Sequence, residues 1–162
     1  MKIQTKQIKG EARMKSVFFT TLALAFLGMP VFADGHATGD ANAGEKVFKR
    51  CKACHSIIDT SGDVIQKGGA VGPNLYGLYN RIAGTDPVFS DKYGSSIVEA
   101  GESGLAWSET DFMSYVADPK KFLAVYLDDK QAKSKMGFKL KKVDDARDIW
   151  AYLVSVGPEV VE

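Results

Sequence analysis

The chain has 162 residues, 45% of them hydrophobic and 25% charged, with 16 Gly, 5 Pro, 2 Cys and 2 His. Such proportions suit one folded domain of roughly 100–150 residues and exclude a disordered tail, a collagen-like chain and a disulfide-dense scaffold. The 21 basic and 20 acidic residues leave a net charge of +1, so no basic excess points to nucleic acid, and two cysteines are too few for a cysteine-rich zinc cluster.

Val17 to Leu27 form an apolar run preceded by basic residues, broken by Gly28-Met29-Pro30 and followed by Val31-Phe32-Ala33. The run is shorter than the ~20 residues a membrane-spanning helix needs, and the small residues after it sit at cleavage spacing. Residues 1–33 therefore read as a secretory signal peptide cut between Ala33 and Asp34, with Met14 an alternative true start; a retained anchor or buried helix is the competing reading. The signal holds five basic residues (Lys2, Lys6, Lys9, Arg13, Lys15) and one acid (Glu11), so 16 basic and 19 acidic residues remain over 34–162, a net of −3.

In the mature chain, Asp40 caps a predicted helix from Ala41 to Lys52, with Val47 and Phe48 on its apolar face. Ser56 to Gly104 holds nine of the 16 glycines and reads as irregular loops with one short helix around Tyr93 to Ala100. Ser108 opens a second clear helix, with Asp111 in the capping-box position. Asp118-Pro119 ends it and starts a third, since proline suits the first helical position. Asp128 to Ser134 reads as a polar loop. Val143 to Val156 forms the last helix, with Ala146, Ile149, Trp150 and Leu153 at helical spacing and Gly157-Pro158 as its stop. No strand pattern competes, so the domain is predicted to be all-α. Four short helices enclose little apolar volume, and something else must fill the centre.

Both cysteines fall in Cys51-Lys52-Ala53-Cys54-His55. This C-x-x-C-H spacing is the attachment signature of haem c: two thiols near the end of a helix meet the two vinyl edges of one porphyrin, and the next residue places an imidazole under the iron. A thioredoxin-like dithiol would need a strand–helix context that is missing. A zinc site would need further Cys or His partners beyond His36. A disulfide closed over two residues is strained. For the sixth position on the iron the residues leave open His36, Met113, Met136 or no protein ligand. His36 lies in a Gly-rich tail and reads as solvated, Met113 as a packed core residue, and Met136 as a loop residue beside Gly137.

Several motifs stand in a telling order over residues 40–156. They are Gly44 and Phe48, CKACH, Gly72-Pro73-Asn74-Leu75, Arg81, Tyr93, Trp107, Tyr115, Asp118-Pro119-Lys120-Lys121, Lys135-Met136 and Asp148-Ile149-Trp150-Ala151-Tyr152-Leu153. The pattern resembles the class I cytochromes c, specifically the larger bacterial c2 type with a loop inserted before the methionine. The resemblance implies the class I cytochrome c fold, short helices and Gly-rich loops around one covalent haem c. It implies Cys51 and Cys54 as attachment points, His55 and Met136 as iron ligands, and the Pro73 carbonyl as acceptor for His55 Nδ1–H. Tyr115 would lie near the Met136 sulfur, Tyr93 and Trp107 would bond a buried propionate, and Arg81 would offset its charge. Two departures stand out: the segment 122–134 is longer than in short relatives of the class, and Asn80 occupies a position often held by glycine.

Eight lysines against Asp128 and Asp129 lie between Lys120 and Lys142. A charge run is ordinarily a solvated face, but this one flanks Met136 and would present a basic ring to acidic redox partners. The expected function is a soluble, monomeric, periplasmic one-electron carrier and not an enzyme, without a membrane anchor. The resemblance suggests a cytochrome bc complex as donor and an oxidase, reaction centre, peroxidase or dehydrogenase as the other partner. A haem enzyme or gas sensor would need an open sixth position, and no distal His or Arg motif supplies one. A subunit tied to a larger complex is the third reading.

Overall fold

The computed structural model describes residues 36–159; the expected signal peptide and cleavage site lie outside the described residues. Among the described residues five α-helices carry the fold: α1 Ala41–Phe48, α2 Ser95–Glu102, α3 Glu109–Ala117, α4 Pro119–Tyr126 and α5 Val143–Ser155. Among the described residues no helix is long and apolar enough to cross a membrane.

The starts of α1, α3 and α4 follow from their caps. The Asp40 carboxylate accepts from the backbone N–H groups of Asn42 and Ala43 at 2.8 and 3.2 Å, taking two of the donors a helix N-terminus leaves unpaired. Ser108 Oγ accepts from Asp111 N at 3.2 Å while donating to its carboxylate at 2.6 Å. Pro119 occupies the first turn of α4, and Asp118 Oδ1 accepts from Lys121 N at 3.2 Å. The second and third predicted helices thus start where the cap residues place them.

α1 packs across α5, and Gly44 makes the close approach possible: a Cβ there would run into the Asp148 carbonyl and lie 2.8 Å from Tyr152 Cβ. The core continues through Trp150, Leu153, Ile149 and Phe48, all buried. Phe48 and Tyr152 meet with ring centroids 5.7 Å apart, joining the first and last helices.

Three local features depart from the sequence reading. α1 stops at Phe48 and not at Lys52, because Arg50 N and Cys51 N turn back to the Val47 and Phe48 carbonyls three residues earlier; the CKACH segment is therefore a tight turn. The glycine-rich middle holds a two-stranded antiparallel hairpin, β1 Ile57–Ile58 with β2 Val64–Gln66, broken by a bulge. The short helix predicted at Tyr93 is α2, shifted to start at Ser95 behind a 3₁₀ turn at Ser90–Lys92. Asn80 adopts φ = 60°, the left-handed region that glycine favours and asparagine tolerates. The departure at that position thus keeps the turn.

Candidate functional site

The turn after α1 presents Cys51, Cys54 and His55 together. The Cys51 carbonyl accepts from Cys54 N at 3.1 Å and from His55 N at 3.0 Å, and both cysteines are free thiols. Burial, only partly offset by Arg50, pushes the Cys51 thiol up to about 11. That is opposite to the low-pKa thiolate a dithiol oxidoreductase uses. No cluster of three or more His, Cys, Asp or Glu able to hold a bare metal ion occurs among the described residues. The zinc reading therefore lacks a ligand set among the described residues, and the raised Cys51 pKa does not favour the dithiol reading.

The segment after the hairpin folds back on this turn. Gly69 N donates to the Lys52 carbonyl at 2.9 Å and Gly72 N to the Cys54 carbonyl at 2.8 Å. Gly72 lies flat against the imidazole: a Cβ there would stand 2.6 Å from His55 Nδ1. The Asn74 side chain holds the return, accepting from Ile58 N at 3.0 Å and from Tyr76 N at 3.1 Å and donating to the Ile58 carbonyl at 2.6 Å.

This packing fixes His55. Its Nδ1 lies 2.8 Å from the Pro73 carbonyl; a carbonyl can only accept, so Nδ1 carries the proton and Nε2 keeps its lone pair. Burial lowers the His55 pKa against the raising effect of the Pro73 bond, with Arg81 lowering it further. The ring is thus held neutral with a free lone pair, the state a metal ligand requires.

His55 borders a cleft of ≈ 340 Å³, whose lining includes every residue singled out for the site: Cys51, Cys54, Pro73, Arg81, Tyr93, Trp107, Tyr115 and Met136. Its volume falls within the usual range of cofactor pockets. Leu75, Phe112, Val116 and Ile149 give it apolar walls. Of the three candidates for the sixth position, Met136 alone borders the cleft. Met113 packs against the core. His36 is not the solvated tail residue expected: its carbonyl accepts from Trp150 Nε1 at 2.8 Å, and its Nδ1 lies 2.8 Å from the Tyr79 hydroxyl.

The loop bearing Met136 is tied at several points. Lys133 N donates to Ser96 Oγ on α2 at 3.0 Å, and Met136 N to Ser134 Oγ at 3.1 Å. Lys135 Nζ reaches the Lys92 carbonyl at 2.7 Å, and Lys139 Nζ pairs with Asp118 Oδ2 at 2.6 Å. Tyr115 faces the same loop; burial raises its pKa against an opposing hydrogen bond with Ser134. The inserted segment is ordered as the end of α4 followed by a turn in which Ala132 is buried. That polar-looking stretch therefore contributes to the core.

Arg81, Tyr93 and Trp107 gather at one end of the cleft. The guanidinium of Arg81 donates to the Asn74 and Tyr76 carbonyls at 2.9 and 3.3 Å. It also lies 3.7 Å from Asp86 Oδ2, on a residue only 5% exposed. Asp86 N donates to Tyr93 Oη at 3.3 Å, and Trp107 meets Tyr115 edge-on at 5.1 Å. Asp86 was not legible as a site residue, although the Asp86-Pro87 pair marks a turn; its carboxylate accepts from Val88 N and Phe89 N. Arg50 and Lys92 also border the cleft. Both were missed, because neither lies in the lysine-rich run.

Two cleft-edge thiols, a neutral imidazole with its lone pair free and one thioether in an apolar cleft make a donor set that fits a covalently held haem. No protein-family model matches the chain, but individual proteins do. Cytochrome c-551 of Roseobacter denitrificans is 48% identical over 143 residues, covering 88% of this chain and 96% of that protein. Cytochrome c2 of Rhodobacter capsulatus is 51% identical over 141 residues, covering 87% and 96%. The crystal structure of cytochrome c2 from Rhodobacter sphaeroides superposes with a TM-score of 0.73 at 50% identity, covering 76% of this chain and all of that one. With the fold, the attachment motif and these relatives in agreement, the chain belongs to the class I cytochromes c of the c2 type, one-haem electron carriers that exchange electrons with other redox proteins and are not enzymes.

Proposed function

We propose that this carrier works in the periplasm, released by cleavage between Ala33 and Asp34, and that His55 and Met136 would hold the iron. Docking would proceed through the basic rim of the cleft. Cys51 and Cys54 would hold the haem by thioethers, and the bound group would supply the one-electron ferric/ferrous couple. Pro73 orients the imidazole through the Nδ1–H bond, and Ser134, Ser96 and Lys92 position the Met136 loop. The Met136 thioether, as a neutral ligand, would favour the ferrous state and raise the potential. Arg81, Tyr93 and Trp107 would receive a propionate, with Asp86 setting the Arg81 fork in place. Two ligands fixed by the chain leave little rearrangement between oxidation states, which suits rapid transfer and needs no substrate pocket.

The observation that carries the docking reading is the charge of the lining. Lys92, Lys133 and Lys135 border the cleft with no carboxylate paired to them among the described residues, while Arg50 pairs with Asp145 at 3.1 Å and Arg81 with Asp86 at 3.7 Å. On a mature chain of net −3 this makes a local positive mouth that steers acidic partners. A cytochrome bc complex would serve as donor, and an oxidase, reaction centre, peroxidase or dehydrogenase as the second partner. The bimolecular rate with an acidic redox protein is expected to fall about 10-fold or more from low to high salt, as screening shortens the reach of the field to a few Å. A K133E/K135E variant should lose most of that dependence. A salt-independent rate would remove electrostatic docking from the account.

A further inference from the structure

His36 does not border the haem cleft, yet its ring and backbone are both held. Its Nδ1 lies 2.8 Å from the Tyr79 hydroxyl, the two ring centroids are 4.4 Å apart, and Trp150 Nε1–H donates to its carbonyl at 2.8 Å. We propose that Tyr79 and His36 form a proton-coupled redox site, where a small one-electron oxidant of the radical class takes an electron from the phenol while the phenolic proton passes to His36 Nδ1. Of the six tyrosines, Tyr79 is the one whose hydroxyl meets an imidazole among the described residues.

Such a site needs a base, access and a link to the carrier's electron. A phenol loses an electron far more readily when its proton leaves at the same time. With the ring proton on Nε2, His36 Nδ1 presents its lone pair to the Tyr79 O–H, and imidazole is the side chain that takes up a proton near neutral pH. Access comes from a second cleft of ≈ 230 Å³, separate from the haem cleft, which the half-buried Tyr79 borders with Asn80, Gly157 and Pro158. The link is aromatic. Tyr79 meets Trp150 edge-on at 6.3 Å, Trp150 meets Phe112 at 5.4 Å, and Phe112 lines the haem cleft. Trp150 is fully buried, and its N–H points at a carbonyl that takes no proton. The indole can therefore pass an electron while the proton chemistry stays with Tyr79.

In the forward step the Tyr79 O–H bond breaks and an N–H bond forms on His36, leaving a neutral phenoxyl radical beside an imidazolium. The oxidant gains the electron, a carbonate radical becoming carbonate. An electron from the reduced carrier then crosses Trp150 to the phenoxyl, and His36 returns the proton. The net change is one electron moved from carrier to oxidant, by an outlet separate from the basic mouth that docks protein partners.

The test exposes the holoprotein, ferric and ferrous, to carbonate radicals made by pulse radiolysis, and follows the phenoxyl radical by transient absorption and electron paramagnetic resonance. The ferric wild type should show a tyrosyl signal, most of which Y79F loses. H36Q keeps a hydrogen-bond acceptor but no base, and should form the radical at least about 10-fold more slowly with the haem spectrum unchanged. In the ferrous wild type the signal should decay faster than in the ferric, at a rate independent of protein concentration. A full signal in Y79F, an unchanged rate in H36Q, or equal lifetimes in the two oxidation states overturns the inference. The site requires only that the mature chain keeps His36. An intact mass lacking that residue also overturns the inference, whereas a first residue other than Asp34 that still precedes His36 overturns the cleavage reading alone.

Discussion

At the scale of single residues, the site depends on how closely the backbone approaches the imidazole. The His55 ring keeps its bond to Pro73 because Gly72 has no side chain to push it away. A G72A variant should lose about 1–3 kcal/mol through overpacking, read as a lower urea midpoint and a shifted His55 Nδ1–H resonance; wild-type values for both would show that the loop yields freely. Asp118 sets a pH dependence. The hydrogen bond from Lys139, and then that from the Lys121 N–H, hold its carboxyl below the ordinary range. A carboxylate whose folded pKa is depressed stabilises fully above its unfolded value of about 3.9, and the contribution disappears as pH falls through the folded value. The advantage of wild type over D118N in urea midpoint should therefore be present near neutral pH and shrink as pH falls below the unfolded value of about 3.9. A gap that stays constant over that range contradicts this assignment.

At the scale of elements, the contact of α1 with α5 decides where the CKACH turn sits. Replacing Gly44 by alanine would gain about 1 kcal/mol of helix propensity, but the new Cβ would strike the Asp148 backbone and Tyr152. The clash outweighs the propensity at about 1–3 kcal/mol, so G44A should unfold at a lower temperature; a raised melting temperature would show that the helices move apart at no cost. Helix starts were legible because their caps are local: Ser108, Asp118-Pro119 and Asp40 act on neighbours two or three residues away. The hairpin was not legible. It has only five strand residues, and its companion segment is held by the Asn74 side chain, a contact that no period-2 pattern records. The end of α1 was misplaced for a similar reason, since nothing in Lys49 to Lys52 opposes a helix and the turn is set by packing of the glycine-rich return against it.

At the scale of the whole molecule, chemistry was read more easily than electrostatics. C-x-x-C-H is a covalent spacing, so Cys51, Cys54 and His55 were legible together, whereas the roles proposed for Pro73 and Met136 came only with the family resemblance. The positive mouth of the cleft is assembled instead from Lys92, Lys133 and Lys135, whose first and second members stand 41 positions apart in the chain. Only folding brings them together. The central claim is that His55 and Met136 hold the iron, and the most direct measurement is the near-infrared absorption of the ferric protein. The account predicts a sulfur-to-iron charge-transfer band at neutral pH that disappears in M136A. Absence of the band in the wild-type protein, or its survival in M136A, would contradict it.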